Sequence, residues 1–142
     1  MIKNERQYRI TKLQVERFEQ ALAVLSRRTK PASVLERAQE DGLRSQLEDL
    51  KIELVEYEAL RSGKAKVFHS ESIDELPKAL IRARIAAGLT QKDLAERLGL
   101  KEQQIQKYES TGYASASFDR LRTVIKMLGV QVREEITLSA PR

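Results

Sequence analysis

One stretch, residues 89–110, limits most strongly what this chain can fold into; it reads LTQKDLAERLGLKEQQIQKYES. Thr90 is a predicted helix N-cap, and Asp93 stands three residues later, where its carboxylate can complete a capping box. Apolar residues then repeat at helical spacing until Gly99, whose freedom to adopt a left-handed conformation is typical of a helix C-terminus. A second helix is predicted to follow at once. The stretch therefore indicates two short helices joined by a tight turn.

Small and apolar residues at set positions indicate how these two helices meet. Ala95 is small where a second helix must cross closely, Gly99 lies in the turn, and Ile105 anchors the second helix inward. This combination predicts a helix-turn-helix, a motif that offers its second helix to the DNA major groove.

The surrounding segment, residues 80–130, resembles the Xre family, which is the helix-turn-helix domain of lambdoid phage repressors and Cro proteins. The residues that carry the resemblance are Arg84, Gly88, Leu89, Thr90, Gln91, Leu94, Ala95, Gly99, Ile105, Glu109, Leu128, Gly129 and Val130. The resemblance implies a five-helix-type domain that binds DNA. It also implies that Arg84 and Glu109 pair as an internal salt bridge with a structural role.

Residues 1–63 are predicted to form a hairpin of two long helices, from about Asn4 to Arg28 and from about Ser33 to Arg61. The apolar stripe of the second helix consists of Leu43, Leu47, Leu50, Leu54 and Tyr57. Two helices cannot enclose a core, so the missing wall must be the C-terminal domain, a second copy of the chain or another protein. We interpret this stripe as a candidate surface for dimerisation or partner binding, in preference to packing on the chain's own domain.

The rest of the chain is divided into a linker at residues 64–71 and the helix-turn-helix domain at residues 72–142. Val130, Val132, Ile136 and Leu138 share one face at a period of two, with Glu134 as the exception, which predicts a short C-terminal β-strand over residues 130–138. Its partner is either Lys66–His69 or the same strand across a two-fold axis, and we favour the internal pairing. The predicted fold class is therefore mainly α, with a long N-terminal hairpin, an Xre/Cro-like domain and one strand.

Composition excludes several classes of function. The chain has no Cys and a single His, which leaves neither a disulfide nor a zinc finger, and we expect no metal and no cofactor. No nucleophile stands beside an activating base, so we expect no enzyme. No long apolar run or signal peptide is present, which favours a cytoplasmic protein without a membrane partner. The net charge of +5 suits a nucleic-acid binder without proving one.

The second helix of the motif supplies the predicted DNA contacts. Its candidate base-reading residues are Glu102, Gln103, Gln104, Gln106 and Lys107, because Gln pairs with adenine, Lys with guanine and Glu with cytosine. The resemblance implies that Glu102, Gln103 and Lys107 hold the positions from which family members read bases. Candidate phosphate contacts surround them at Thr90, Gln91, Lys101, Thr111, Tyr113, Ser115 and Ser117.

Two functions fit these features. The first is a sequence-specific transcriptional repressor that binds double-stranded DNA as a homodimer on an inverted repeat. The second is an antitoxin similar to the HigA type, which neutralises a small basic toxin and represses its own operon. Residues 34–60 hold three Lys/Arg and eight Asp/Glu, so an acidic second helix is a candidate dock for such a toxin. A third alternative keeps the fold but uses it only for protein contact.

Overall fold

The computed structural model of the protein describes residues 1–140, and in them the chain is helical. Its α-helices are α1 (Glu5–Ser26), α2 (Val34–Arg61), α3 (Leu76–Ala86), α4 (Gln91–Leu98), α5 (Glu102–Ser110) and α6 (Phe118–Leu128). A single 3₁₀ turn, Ile73–Glu75, precedes α3. Pro77 lies in the first turn of α3, the one part of a helix that tolerates proline. The predicted mainly α fold class is confirmed.

Helices α1 and α2 form an antiparallel hairpin whose ends are defined by local caps. The Asn4 side chain accepts from the Gln7 N–H at 2.8 Å and begins α1. Ser33 begins α2 with a complete capping box to Glu36. Far from the rest of the chain, the two helices bury Val15, Leu22 and Leu47 against each other, so the hairpin has a small core of its own.

The leucine stripe of α2, which was predicted as a surface for dimerisation or partner binding, faces inward in this structure. Leu47 is buried between the helices, and Leu43, Leu50 and Leu54 pack around it. Tyr57 is buried in the larger core of the molecule, with its ring centroid 5.3 Å from that of Tyr8. Helix α1 and the C-terminal domain cover this stripe, because α1 has an apolar face that packs against it.

The larger core lies between α3, α4, α5 and α6. Leu94, Ile105 and Val124 are fully buried at its centre, and one of the three comes from each of α4, α5 and α6. Ala95 is also buried, and its small side chain lets α4 and α5 approach closely. The hairpin contributes Tyr8, Tyr57 and Leu60 to the same core. Residues 1–63 and the C-terminal helices therefore share one hydrophobic core.

Residues 1–4 pass between the two parts of the molecule and join them. Ile2 is buried in the larger core. The amino group of Met1 lies 3.4 Å from a Glu53 carboxylate oxygen on α2. The Lys3 carbonyl accepts from Arg84 Nη2 at 2.7 Å, which ties this N-terminal arm to α3.

The predicted strand at residues 130–138 is not formed. Residues 1–140 contain no strand, and no backbone hydrogen bond joins the tail to Lys66–His69. Both segments line the same groove from opposite sides, with α3 as its floor. Since a strand exists only when its backbone groups are paired, the tail has no regular secondary structure in the monomer.

Candidate nucleic-acid interface

The two helices of the motif, α4 and α5, have well-defined ends. The Asp93 N–H donates to Thr90 Oγ1 at 3.0 Å, and the Thr90 N–H donates to the Asp93 carboxylate at 2.8 Å. These bonds hold the pKa of Asp93 below its usual value, since the backbone bond from Thr90 favours the ionised form. Gly99 ends α4 at φ 67°, a conformation that disfavours other residues. The turn is thus determined by local chemistry on both sides.

Helix α5 presents one polar face to solvent and buries the other. Ile105 and Glu109 turn inward, whereas Gln103 and Lys107, four residues apart, lie together on the outward face. Neither of these two side chains makes a hydrogen bond within residues 1–140. Both are therefore available to donate to the edges of base pairs.

The other three base-reading candidates are exposed but partly engaged. Gln104 Oε1 accepts from the Lys101 N–H at 2.9 Å, so its carbonyl caps the start of α5. The Gln106 amide lies 3.4 Å from a Glu102 carboxylate oxygen, a long contact at the surface. DNA binding can displace the Gln106–Glu102 contact at little cost, whereas the Gln104 cap supports the helix itself.

Five of the phosphate candidates lie on the surface around α4 and α5; they are Thr90, Lys101, Thr111, Ser115 and Ser117. Thr90 and Ser117 are N-caps whose hydroxyl oxygens accept from backbone N–H groups. The hydroxyl of Thr111 donates to the carbonyl of Lys107 at 2.9 Å. An N-cap hydroxyl keeps its own proton, so Thr90 and Ser117 can still donate to a phosphate oxygen.

Gln91 and Tyr113 lie elsewhere than their predicted role requires. Gln91 is 3% exposed, and its side chain donates to Glu109 Oε1 and accepts from Asn4 Nδ2, each at 3.0 Å. Tyr113 is 4% exposed, stacks on Tyr108, and has a pKa raised by burial. Both side chains are buried, so neither can contact a phosphate in this conformation. The backbone N–H of Gln91, in the first turn of α4, can still donate to one.

A buried ion pair connects the motif to α3. Arg84 Nε lies 2.6 Å from Glu109 Oε2, and Arg84 Nη2 lies 2.7 Å from Glu109 Oε1, a bidentate arrangement. Each of the two residues is only 2% exposed. Arg84 also donates to the carbonyls of Leu89 and Lys3, both at 2.7 Å. The pair holds the C-terminal end of α5 against α3, and all three guanidinium nitrogens of Arg84 donate a hydrogen bond.

The N-terminal arm supports this surface, although no sequence pattern predicted its contacts. Lys3 Nζ donates to the carbonyl of Glu109 at 3.0 Å, which places a cation at the C-terminal end of α5. Asn4 Nδ2 reaches the side chain of Gln91 at the start of α4. No local signal could have found these contacts, since they join residues more than 80 positions apart in the chain.

Comparison with known families agrees with this geometry. Residues 80–134, from within α3 through α6 into the tail, match the family model described as Helix-turn-helix. This part of the chain is therefore similar to helix-turn-helix domains, a class of DNA-binding domain, and the match supports the predicted resemblance to the Xre family. No curated protein and no solved structure gave a significant match.

Residues 1–140 hold no group of three or more acidic or His side chains placed to bind a metal ion. Among the helices described, none is long and apolar enough to cross a membrane.

Proposed function

We propose that the protein is a sequence-specific transcriptional regulator that binds operator DNA in the cytoplasm as a homodimer and represses transcription by occupying the site. The observation that carries this proposal is the pair Gln103 and Lys107, which face outward without partners on a helix whose other face is locked by Ile105 and the Arg84–Glu109 pair. Preorganised donors on a rigid helix are what base reading in the major groove requires.

The phosphate candidates support the same surface. Lys101, Thr111, Ser115 and Ser117 are exposed on loops that flank α5, and the N-terminus of α4 presents backbone N–H groups beside them. Contacts of this kind fix the register of a domain on DNA without reading its sequence. We assign base reading to Gln103 and Lys107 first, with Glu102 and Gln106 beside them.

Homodimeric binding implies a geometry for the operator. Two copies related by a two-fold axis place their α5 helices in successive major grooves on one side of the duplex. The half-sites would then be inverted and about 34 Å apart, which is about one turn of DNA.

Selection of bound duplexes from a random pool tests the proposal without knowledge of the operator. We expect enrichment of an inverted repeat with that spacing by the wild-type protein, and loss of enrichment by Gln103→Ala/Lys107→Ala. The matched control is Gln20→Ala/Lys30→Ala, which removes the same residue types and the same charge from exposed positions of the hairpin. Enrichment that survives in the first variant, or no enrichment by the wild type, would contradict the assignment.

An antitoxin is the second candidate function, and a specific surface favours it. Ile10, Leu13 and Val24 are exposed on one face of α1, away from the seam with α2. An uncovered apolar stripe on a hairpin that is tied firmly to a DNA-binding domain suits a protein partner. The acidic face of α2 supports a basic toxin less well than its composition indicated.

Carboxylates on the acidic face of α2 already have partners within the chain, which leaves fewer of them to bind a basic toxin. Glu53 pairs with the N-terminal amine, Glu56 with Arg82 at 2.9 Å, and Glu58 accepts from the Tyr8 hydroxyl at 2.6 Å. Glu36 and Glu40 are engaged as well, so of the eight acidic residues at 34–60 only Asp41, Glu48 and Asp49 make no side-chain hydrogen bond or salt bridge within residues 1–140.

Co-purification with the product of a neighbouring gene for a small basic protein tests this second candidate. A stoichiometric complex that is lost in Leu13→Asp/Val24→Asp, and retained in Gln20→Ala/Lys30→Ala, would support an antitoxin that binds through α1. A complex that is indifferent to the α1 substitutions would refute that binding surface.

A further inference from the structure

The C-terminal tail, residues 130–138, has the sequence pattern of a strand but no pairing partner within the described monomer. Val130 packs against the larger core. Further along, Ile136 and Leu138 are 91% and 97% exposed. An unpaired segment with the side-chain pattern of a strand can pair with another strand. A strand that covers Ile136 and Leu138 would have to come from outside the described monomer.

A groove of about 770 Å³ lies beside the tail. Its walls are residues 129–134 of the tail and residues 66–70 of the linker, and its floor is an apolar part of α3 formed by Leu76, Ala79, Leu80 and Ala83. Neither wall pairs its backbone with the other. Two walls without backbone pairing to each other, beside an apolar floor, form a site that an incoming strand can fill by β-addition.

The tail is complementary to itself when two copies run antiparallel about Glu134. In this register the opposed pairs are Val130 with Leu138, Gln131 with Thr137, Val132 with Ile136, and Arg133 with Glu135. Apolar residues then face apolar residues on the side that Val130 turns to the core, and opposite charges pair on the other side. A slip of two residues in one direction moves the axis to Arg133 and sets Arg133 opposite Arg133. A slip of two residues in the other direction sets Glu135 opposite Glu135.

We propose that the groove receives the tail of a second copy of the chain, so that residues 130–138 of the two copies pair antiparallel about a two-fold axis at Glu134. The inference rests on the homodimer proposed above and names the surface that forms it. Residues 134–138 of each copy enter the groove of the other and place Ile136 and Leu138 over the floor of α3. The free edge of the incoming strand then faces Lys66–His69, whose sequence is β-prone.

Glu134 is the single mismatch in this register, because it meets its own copy across the axis. Like charges directly opposite each other destabilise a strand pair, so Glu134 keeps the association weak and reversible. Glu134→Val removes the repulsion and extends the apolar face. We expect this variant to tighten the dimer, a gain that a tail exposed to solvent would not show.

Disulfide formation tests the axis directly, because the chain has no cysteine of its own. Residues opposite each other in antiparallel strands have Cα atoms about 4.5–5.5 Å apart, within the range that a disulfide spans. We expect Glu134→Cys to form a covalent dimer under mild oxidation. Gln131→Cys is the matched control, because its two copies would lie about 20 Å apart along the paired strands. Equal crosslinking of the two variants, or none in Glu134→Cys, would overturn the proposal.

A charge exchange tests the register. Arg133→Glu and Glu135→Arg each replace two attractive pairs in the dimer by two repulsive ones, and we expect the dimer Kd from sedimentation to rise about tenfold. The double variant restores opposite charges and should return to the wild-type Kd. Single variants without effect, or a double variant that is as weak as the singles, would refute this register.

DNA binding, measured on the same variants, separates this inference from the proposed function. A tail that does not pair, in a protein that still binds an operator specifically, would overturn the tail interface and leave the regulator intact. A tail that crosslinks as expected in a protein without specific DNA binding would do the opposite.

Discussion

Removal of Arg84 is the most informative single perturbation of the fold. In Arg84→Met the Glu109 carboxylate keeps only the bond from Gln91 Nε2 at 3.0 Å, and the carbonyls of Leu89 and Lys3 lose their donor. Because both partners are 2% exposed, water cannot replace the guanidinium. Leaving a buried charge without its partner costs about 3–5 kcal/mol.

Thermal and urea unfolding followed by circular dichroism measure this cost. For a chain of this size we expect the Tm of Arg84→Met to fall by roughly 10–20 °C. Arg82→Met is the matched control, since Arg82 is two positions away and pairs with Glu56 at the surface, where ion pairs contribute about 0–1 kcal/mol. The double variant Arg84→Met/Glu109→Leu should recover much of the loss, because neither buried charge remains. An Arg84→Met protein as stable as Arg82→Met would refute the reasoning.

Three further perturbations follow from particular contacts. The pKa of Asp93 is lowered in the folded state, so the ionised carboxylate stabilises the fold fully above its ordinary pKa of 3.8, and this stabilisation is lost as the pH falls through the lower folded pKa. Acid unfolding of Asp93→Asn should lack this loss of stability. An acid-unfolding profile identical to that of the wild type would contradict this prediction. Leu47→Ala should cost about 2–3 kcal/mol in urea unfolding by opening the core of the hairpin, while leaving DNA affinity unchanged. Lys3→Ala removes the cation from the end of α5 and should cost about 0.3–1 kcal/mol, whereas Lys66→Ala, exposed in the linker outside any helix, should cost less.

Features that depend on neighbouring residues in the chain could be predicted from the sequence. The capping box at Thr90 and Asp93 and the left-handed Gly99 are local, and they place α4 without reference to the rest of the molecule. Gly129 ends α6 at φ 70° in the same way. Periodic apolar positions likewise identified the two hairpin helices, so the helical fold class followed from short-range chemistry.

Features that depend on distant partners could not be predicted. The stripe around Leu47 shows that α2 has a face to bury, but periodicity does not say what covers it, and the covering element is α1. The period of two in residues 130–138 has the same limit, because a strand requires a partner that the monomer does not supply. The polarity of Gln91 indicated a surface role, whereas Asn4 and Glu109 satisfy its amide in the interior.

The most direct test of the central claim is fluorescence anisotropy with duplex DNA from immediately upstream of the protein's own gene, against a scrambled duplex at physiological salt. We expect the upstream duplex to bind about 10³-fold more tightly than the scrambled one, which is the usual margin of specific recognition. This margin should be lost in Gln103→Ala/Lys107→Ala and kept in Gln20→Ala/Lys30→Ala. Equal weak binding to both duplexes, in a protein that is folded and dimeric, would contradict the claim that the protein regulates its own gene. It would favour a helix-turn-helix domain that serves protein contact.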